Sequence, residues 1–201
     1  MKPAVVLASR NPGKLREIRT ILAEAGVPLA VVSADDFPGW EAPDETEPDY
    51  AGNALLKARS LAALAGVATL ADDSGIEVDA LDGGPGPRSA RFAGEAATDE
   101  ENLKKLIEIV RGVPPEQRTA RYRCVAVLVT PDGSESLAEG TVEGTLITEP
   151  QGSGGFGYDP IFVPEGDTRT MAELSAEEKD RISHRGKAFR GLVEALRRQP
   201  D

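Results

Sequence analysis

The segment Val67-Ala68-Thr69-Leu70-Ala71-Asp72-Asp73-Ser74-Gly75 joins an apolar run to two adjacent carboxylates. The apolar part predicts a buried strand over 67–71, directly after a helix predicted over 51–65. Ligands in open α/β sheets bind at the carboxyl ends of strands, so Asp72 and Asp73 lie where chemistry is expected. The structural alternative is an Asx turn with Gly75 in the left-handed conformation.

Predicted strands and helices alternate on both sides of this segment, which favours an α/β fold with a mixed sheet. The other predicted strands are 3–8, 29–32, 76–81, 119–130, 137–147 and 161–163. The other predicted helices are 15–25, 99–110, 176–182 and 183–198. Residues 34–49 are an acidic, proline-rich loop, and residues 151–160 are a glycine-rich loop. We expect one domain over 1–201, either undivided or built from two small lobes.

Composition narrows the function classes. The chain has 201 residues, 40% of them apolar, and no apolar run long enough to span a membrane. Its first residues predict a strand rather than a signal peptide. The single cysteine, Cys124, excludes an internal disulfide and lies in an apolar run, which predicts a buried small hydrophobe. We expect a cytoplasmic protein.

The net charge of −11 argues against a general nucleic-acid binder. An anionic substrate must then be met by a local cationic cluster, a metal or backbone N–H groups. The turn Ser9-Arg10-Asn11-Pro12-Gly13-Lys14 offers N–H groups at a helix start, polar hydrogens from Ser9 and Asn11, and the Lys14 charge. It is not a Walker A loop. The alternative is an ordinary capped turn with a solvated lysine.

The paired carboxylates predict a Mg²⁺ site, because Mg²⁺ prefers one or two carboxylates plus substrate phosphates. One carboxylate can also orient or deprotonate the attacking water. Neighbouring residues in a strand point to opposite faces, so Asp72 and Asp73 need not share a role. Asn53 and Lys57 share one helix face, where Lys57 is either a second phosphate contact or a snorkelling surface lysine.

Two later segments suggest recognition of a base. In the glycine-rich loop, Phe156 or Tyr158 can stack on a nucleobase, and Asp159 can accept from a base N–H or a sugar hydroxyl. The only histidine, His184, precedes Arg185 at a helix start, where an anion or carbonyl oxygen finds donors. The structural alternatives are a loop pinned by its aromatic residues and a purely structural histidine.

Six segments, in chain order, resemble the inosine triphosphate pyrophosphatase family, also called the Ham1 or non-canonical purine NTP pyrophosphatase family. They are residues 9–17, 53–58, 71–75, 85–91, 154–162 and 183–188. The resemblance implies an elongated, two-lobed single domain with a central mixed β-sheet, flanking helices and an active-site cleft between the lobes. It also implies a homodimer that uses Mg²⁺ to hydrolyse ITP, dITP and XTP to the monophosphate and pyrophosphate.

The resemblance also assigns roles to residues. Asp73 would hold Mg²⁺ and activate the water, Glu45 or Asp44 would support the metal, and Lys14 and Lys57 would stabilise the leaving pyrophosphate. The residues implied to bind substrate are Ser9, Arg10, Asn11, Pro12, Gly13 and Lys14 at the triphosphate, Ser74, and Phe156, Gly157, Tyr158, Asp159, Lys179, His184 and Arg185 around the base. Arg185 or a nearby backbone N–H would donate to the 6-keto oxygen of the base.

One departure from the family pattern concerns the metal. Many relatives carry a glutamate where this chain has Gly52. If that glutamate assists the metal, Glu45 or Asp44 must suffice here. Three rival functions stay open: a pyrophosphatase for modified pyrimidines or dUTP, a non-enzymatic nucleotide sensor, and a structural or partner-binding α/β module.

Overall fold

The computed structural model describes residues 4–198, which form strands and helices in the predicted alternation. The strands are β1 (Ala4–Leu7), β2 (Ala30–Ser33), β3 (Thr69–Val78), β4 (Thr119–Val129), β5 (Glu135–Leu146) and β6 (Phe162–Pro164). The α-helices are α1 (Pro12–Glu24), α2 (Tyr50–Ala65), α3 (Asp99–Val110), α4 (Ala176–Ile182), α5 (His184–Gly191) and α6 (Val193–Arg197). Pro3, where the first strand was predicted to begin, lies outside the described residues.

The strands form one mixed sheet in the order β2-β1-β3-β4-β5-β6. Strand β1 is parallel to β2 and β3, with Val6 opposite Val32 and Leu7 opposite Leu70, whereas β6 is antiparallel to β5. With its flanking helices, this sheet confirms the predicted α/β class.

Within residues 4–198, the chain divides into two compact units. The first comprises 4–73, 124–140 and 185–198, and the second comprises 74–123 and 141–184. Strands β3, β4 and β5 contribute residues to both. No helix in this part of the chain has the length and apolar character needed to cross a membrane.

The first unit buries both faces of its strands because their side chains alternate. Val5, Leu7 and Cys124 pack with apolar residues of α1, α5 and α6, while Val6 and Val125 pack with α2. Cys124 is fully buried, as predicted. In the second unit, α3 packs against the end of β3, the start of β4 and the end of β5.

Strand β3 corrects one prediction. Residues 69–78 form a single continuous strand, so Asp72 and Asp73 lie within it and not in a turn at its end. Gly75 has no positive φ, but a Cβ there would lie 2.2 Å from the Gly86 carbonyl oxygen and 2.5 Å from Ser89 Oγ. Gly75 therefore permits a close backbone approach inside a strand, and the Asx-turn alternative is wrong.

The helix predicted over 183–198 is also corrected, because Leu192 separates α5 from α6. The Leu192 N–H bonds the Phe189 carbonyl three residues back, which tightens the chain into a turn. A Cβ at Gly191 would lie 2.7 Å from the Ala138 Cβ, so the chain passes close to β5 at this point. The break lets apolar residues of both short helices join one core cluster.

Candidate active site

The turn after β1 is folded as a helix cap. Asn11 Oδ1 accepts from the N–H groups of Gly13 (2.8 Å) and Lys14 (3.1 Å), and Pro12 occupies the first position of α1. The Asn11 N–H donates to Ser9 Oγ at 3.2 Å. The structure thus shows the capped turn, and a phosphate at these N–H groups would have to displace the Asn11 side chain.

Arg10, next to this cap, turns toward the acidic loop. Its guanidinium donates to the Trp40 carbonyl, lies 5.7 Å from the centroid of the Trp40 ring, and forms an ion pair with Asp35 at 3.6 Å. Its side chain is half exposed. Arg10 therefore ties the turn to the loop that carries Glu45.

The two adjacent aspartates face opposite sides of β3. Asp72 lies on the face covered by α1 and α5, where Lys14 Nζ donates to both of its oxygens at 3.1 and 3.0 Å. Arg185 Nε donates to Asp72 Oδ2 at 3.1 Å, and its Nη1 donates to Glu17 at 2.7 Å. Burial raises the pKa of Asp72, but the charges of Lys14 and Arg185 outweigh it and hold this pKa well below its usual range.

Asp73 faces α2 instead. Asn53 Nδ2 donates to Asp73 Oδ2 at 3.3 Å, and Lys57 Nζ lies 3.5 Å from Asp73 Oδ1 and 2.8 Å from Glu45 Oε1. Burial raises the pKa of Asp73, Lys57 lowers it, and Glu45 raises it further, so the net pKa lies above its ordinary value. Asp73 is thus the aspartate whose environment favours uptake of a proton.

Lys57 is buried, so the surface-lysine alternative is wrong. Burial lowers the pKa of its ammonium, but the charges of Asp73 and Glu45 outweigh this effect and raise it. Of the two loop carboxylates considered for the metal, Glu45 is brought to Lys57, whereas Asp44 is exposed. A Cβ at Gly52 would lie 2.6 Å from Glu47 Cβ, so a side chain there would displace Glu47.

A divalent cation fits this arrangement. Within residues 4–198, no group of three or more His, Cys, Asp or Glu side chains could hold a metal ion. Mg²⁺, however, is commonly held by one or two carboxylates and completes its shell with water and substrate phosphates. Asp73 and Glu45, both in contact with the same ammonium nitrogen, are the two carboxylates that would hold such a cation.

The second unit holds another polar cluster, centred on the buried Asp159. Its Oδ1 accepts from the Tyr122 hydroxyl at 3.2 Å, and its Oδ2 accepts from the Phe156 N–H at 2.9 Å and pairs with Lys179. The Lys179 ammonium lies 4.6 Å from the centroid of the Phe156 ring. Phe156 is 52% exposed, which leaves much of its ring open to a ligand.

Four other residues predicted to bind substrate lie in the second unit. Tyr158 is buried and donates to the Ser89 carbonyl at 2.8 Å, so Phe156 is the better stacking surface. The Gly157 N–H donates to Asp99 at 3.2 Å. His184 is buried and stacks on Tyr122, with centroids 4.8 Å apart and planes 9° apart. Ser74, on β3, is half-buried.

The sequence of this chain is also similar to those of known proteins. The family model described as the Ham1 family matches residues 5–195. The chain belongs to the Ham1 family. It is 52% identical over 193 residues to the dITP/XTP pyrophosphatase of Streptomyces coelicolor, with 96% of each chain covered.

Solved structures of similar proteins share the fold. The Coxiella burnetii HAM1 protein superposes with a TM-score of 0.87 at 37% identity, covering 96% of this chain and 98% of that one. The Mycobacterium abscessus nucleoside-triphosphatase, also named dITP/XTP pyrophosphatase, gives a TM-score of 0.78 at 45% identity, covering 96% and 100%.

Some contacts in this Ham1 chain could not be predicted from its sequence. Glu17 lies in one of the six segments that resemble the family, but its sequence position is that of an ordinary surface residue of a helix. Only the structure places Arg185 beside it. Tyr122 looks like one more inward residue of an alternating strand, and only the structure shows its hydroxyl on Asp159. Arg185, expected at the base, is buried in the first unit with its guanidinium on Asp72 and Glu17.

Proposed function

We propose that this chain hydrolyses dITP, XTP and ITP to the nucleoside monophosphate and pyrophosphate. Its membership of the Ham1 family supports the proposal, as do relatives at about half identity named dITP/XTP pyrophosphatase. The observation that carries it is the division of Asp72 and Asp73 between two faces of β3. One carboxylate is neutralised by Lys14 and Arg185, and the other has a raised pKa beside Lys57 and Glu45.

In the proposed reaction, water attacks the α-phosphorus and pyrophosphate leaves. Asp73 accepts a proton from this water, a role that its raised pKa suits. Lys14 and Lys57 neutralise charge that develops on the leaving pyrophosphate. Mg²⁺, held by Asp73 and Glu45, would supply further charge neutralisation at the phosphates when bound.

We assign base recognition to the cluster centred on Asp159. The exposed Phe156 ring would stack on the purine, and Asp159 and Lys179 would bond its polar edge. Arg185, which also pairs with Asp72 and Glu17, or a nearby backbone N–H would donate to the 6-keto oxygen. Adenine offers an amino group at that position and would leave the donor unpaired, which disfavours ATP.

From the family resemblance, we also propose that the enzyme requires Mg²⁺, forms a homodimer and acts in the cytoplasm. Activity with and without chelator, light scattering on the purified chain and cell fractionation test them separately.

Product analysis with dITP, XTP, ATP, GTP and dUTP tests the function. We expect pyrophosphate and monophosphate from dITP and XTP, and little product from ATP or GTP. Preferred turnover of dUTP would point to a pyrimidine enzyme, and no turnover by folded protein with Mg²⁺ would favour a nucleotide sensor. Asp73→Asn should reduce kcat by orders of magnitude with the fold intact, and near-normal activity would contradict the role of Asp73.

A further inference from the structure

A chain of four alternating charges crosses the first unit. It begins at Glu17 on α1, continues through Arg185 on α5 to Asp72 on β3, and returns to α1 at Lys14. Each charge has an opposite charge as its neighbour, so the group as a whole is neutral. Such compensation is what allows charged groups to be buried.

This chain of charges is buried at Asp72 and Arg185 and is partly exposed at Lys14. The side chains of Asp72 and Arg185 are 1% and 2% exposed, whereas that of Lys14 is 22% exposed. Lysine has a flexible four-carbon stem, so its ammonium is not placed by its own backbone. Contact with both Asp72 oxygens restricts the position of the Lys14 ammonium.

Asp72 is poorly suited to bind a metal or accept a proton. Both of its oxygens accept hydrogen bonds from Lys14, and Oδ2 also accepts from Arg185. The neighbouring Asp73 has none of these partners and faces α2. The two carboxylates therefore have different surroundings in spite of their adjacency.

We propose that Asp72 is a positioning residue, which is anchored by Arg185 and Glu17 and holds the Lys14 ammonium where it meets the substrate phosphates. This inference rests on the proposed pyrophosphatase function. Asp72 acts only through Lys14, so its contribution to the reaction disappears when Lys14 is absent. A purely structural Asp72 would contribute whether or not Lys14 is present.

The test compares kcat and KM for dITP in wild type, Asp72→Asn, Lys14→Met and the double variant. We expect Asp72→Asn to lower kcat about 10- to 100-fold, the scale of a misplaced catalytic group. Its KM should change little, because the Lys14 charge remains. The double variant should match Lys14→Met within about threefold, because coupled residues are non-additive. Losses that multiply in the double variant would overturn the proposal.

Two further variants keep the test decisive. Asp79→Asn removes another arginine-paired carboxylate, bonded to Thr119 and Arg121, and should leave kcat unchanged. If Asp72→Asn does not fold, Asp72→Glu keeps the charge that Arg185 needs but displaces the carboxylate by one methylene. Asp72→Glu should lower kcat in protein that retains Lys14 and should have no further effect in the Lys14→Met variant. A wild-type kcat in Asp72→Glu would refute the positioning role. Absence of dITP turnover in wild type would instead refute the proposed function itself.

Discussion

Replacing Lys57 with methionine should expose the repulsion between the two proposed metal carboxylates. The Lys57 nitrogen lies 2.8 Å from Glu45 and 3.5 Å from Asp73, and its side chain is only 11% exposed. Methionine keeps the apolar stem but leaves these two negative charges without the cation between them. The variant should therefore be less stable than wild type in the absence of divalent metal.

The size of the effect follows from Coulomb's law. Two unit charges about 6 Å apart interact with about 3 kcal/mol at an effective dielectric constant of about 20. Breaking a buried ion pair typically costs about 3–5 kcal/mol, which is the same scale. For a chain of this size, 1 kcal/mol shifts Tm by about 2–4 °C, so the expected loss is about 6–12 °C.

Thermal unfolding in EDTA and in excess Mg²⁺ measures this loss of stability and its dependence on the metal. If Asp73 and Glu45 hold Mg²⁺, as proposed, the metal compensates for the lost charge, so Mg²⁺ should raise Tm more in Lys57→Met than in wild type. Lys105→Met is the matched control, since Lys105 donates to the Phe92 carbonyl and should respond to Mg²⁺ as wild type does. An equal Mg²⁺ response in Lys57→Met and wild type would refute the placement of the metal.

Three further predictions concern other parts of the two clusters. The depressed pKa of Asp72 means that its ionised carboxylate stabilises the fold above about pH 4. Below that pH, the difference in the free energy of unfolding between wild type and Asp72→Asn should shrink by about 1.4 kcal/mol per pH unit. Urea unfolding at several pH values measures it, and a constant difference would contradict the ion pairing. Phe156→Ala should raise KM for dITP about 5- to 100-fold, the scale of lost base stacking, with little change in Tm because the ring is half exposed; an unchanged KM would remove Phe156 from the site. Asn11→Ala should cost about 1 kcal/mol in thermal unfolding through loss of the α1 cap, and an unaltered Tm would show that the cap contributes nothing.

Local sequence patterns predicted much of the fold. The alternating and apolar stretches that predicted strands 119–130 and 137–147 correspond to β4 and β5. The prediction failed at 72–75, where Asp-Asp-Ser-Gly has the composition of a turn but continues β3. Burial against distant chain decides this case, since Gly75 packs on Gly86 and the aspartates are compensated by helices far away in sequence.

The site was only partly predictable, for a related reason. The period of a strand correctly separated the directions of Asp72 and Asp73. Their partners, however, depend on contacts across the fold: Arg185 is 113 residues from Asp72 and 168 from Glu17. The structure places the Arg185 guanidinium on Asp72 and Glu17. The role at the base that the resemblance implies for Arg185 stays a prediction.

Hydrolysis of dITP in water enriched in oxygen-18 tests the central claim most directly. If water attacks the α-phosphorus, the label should appear in the monophosphate and be absent from the released pyrophosphate. Label in pyrophosphate, or release of labelled orthophosphate, would mean that another phosphorus is attacked and would contradict the proposed mechanism.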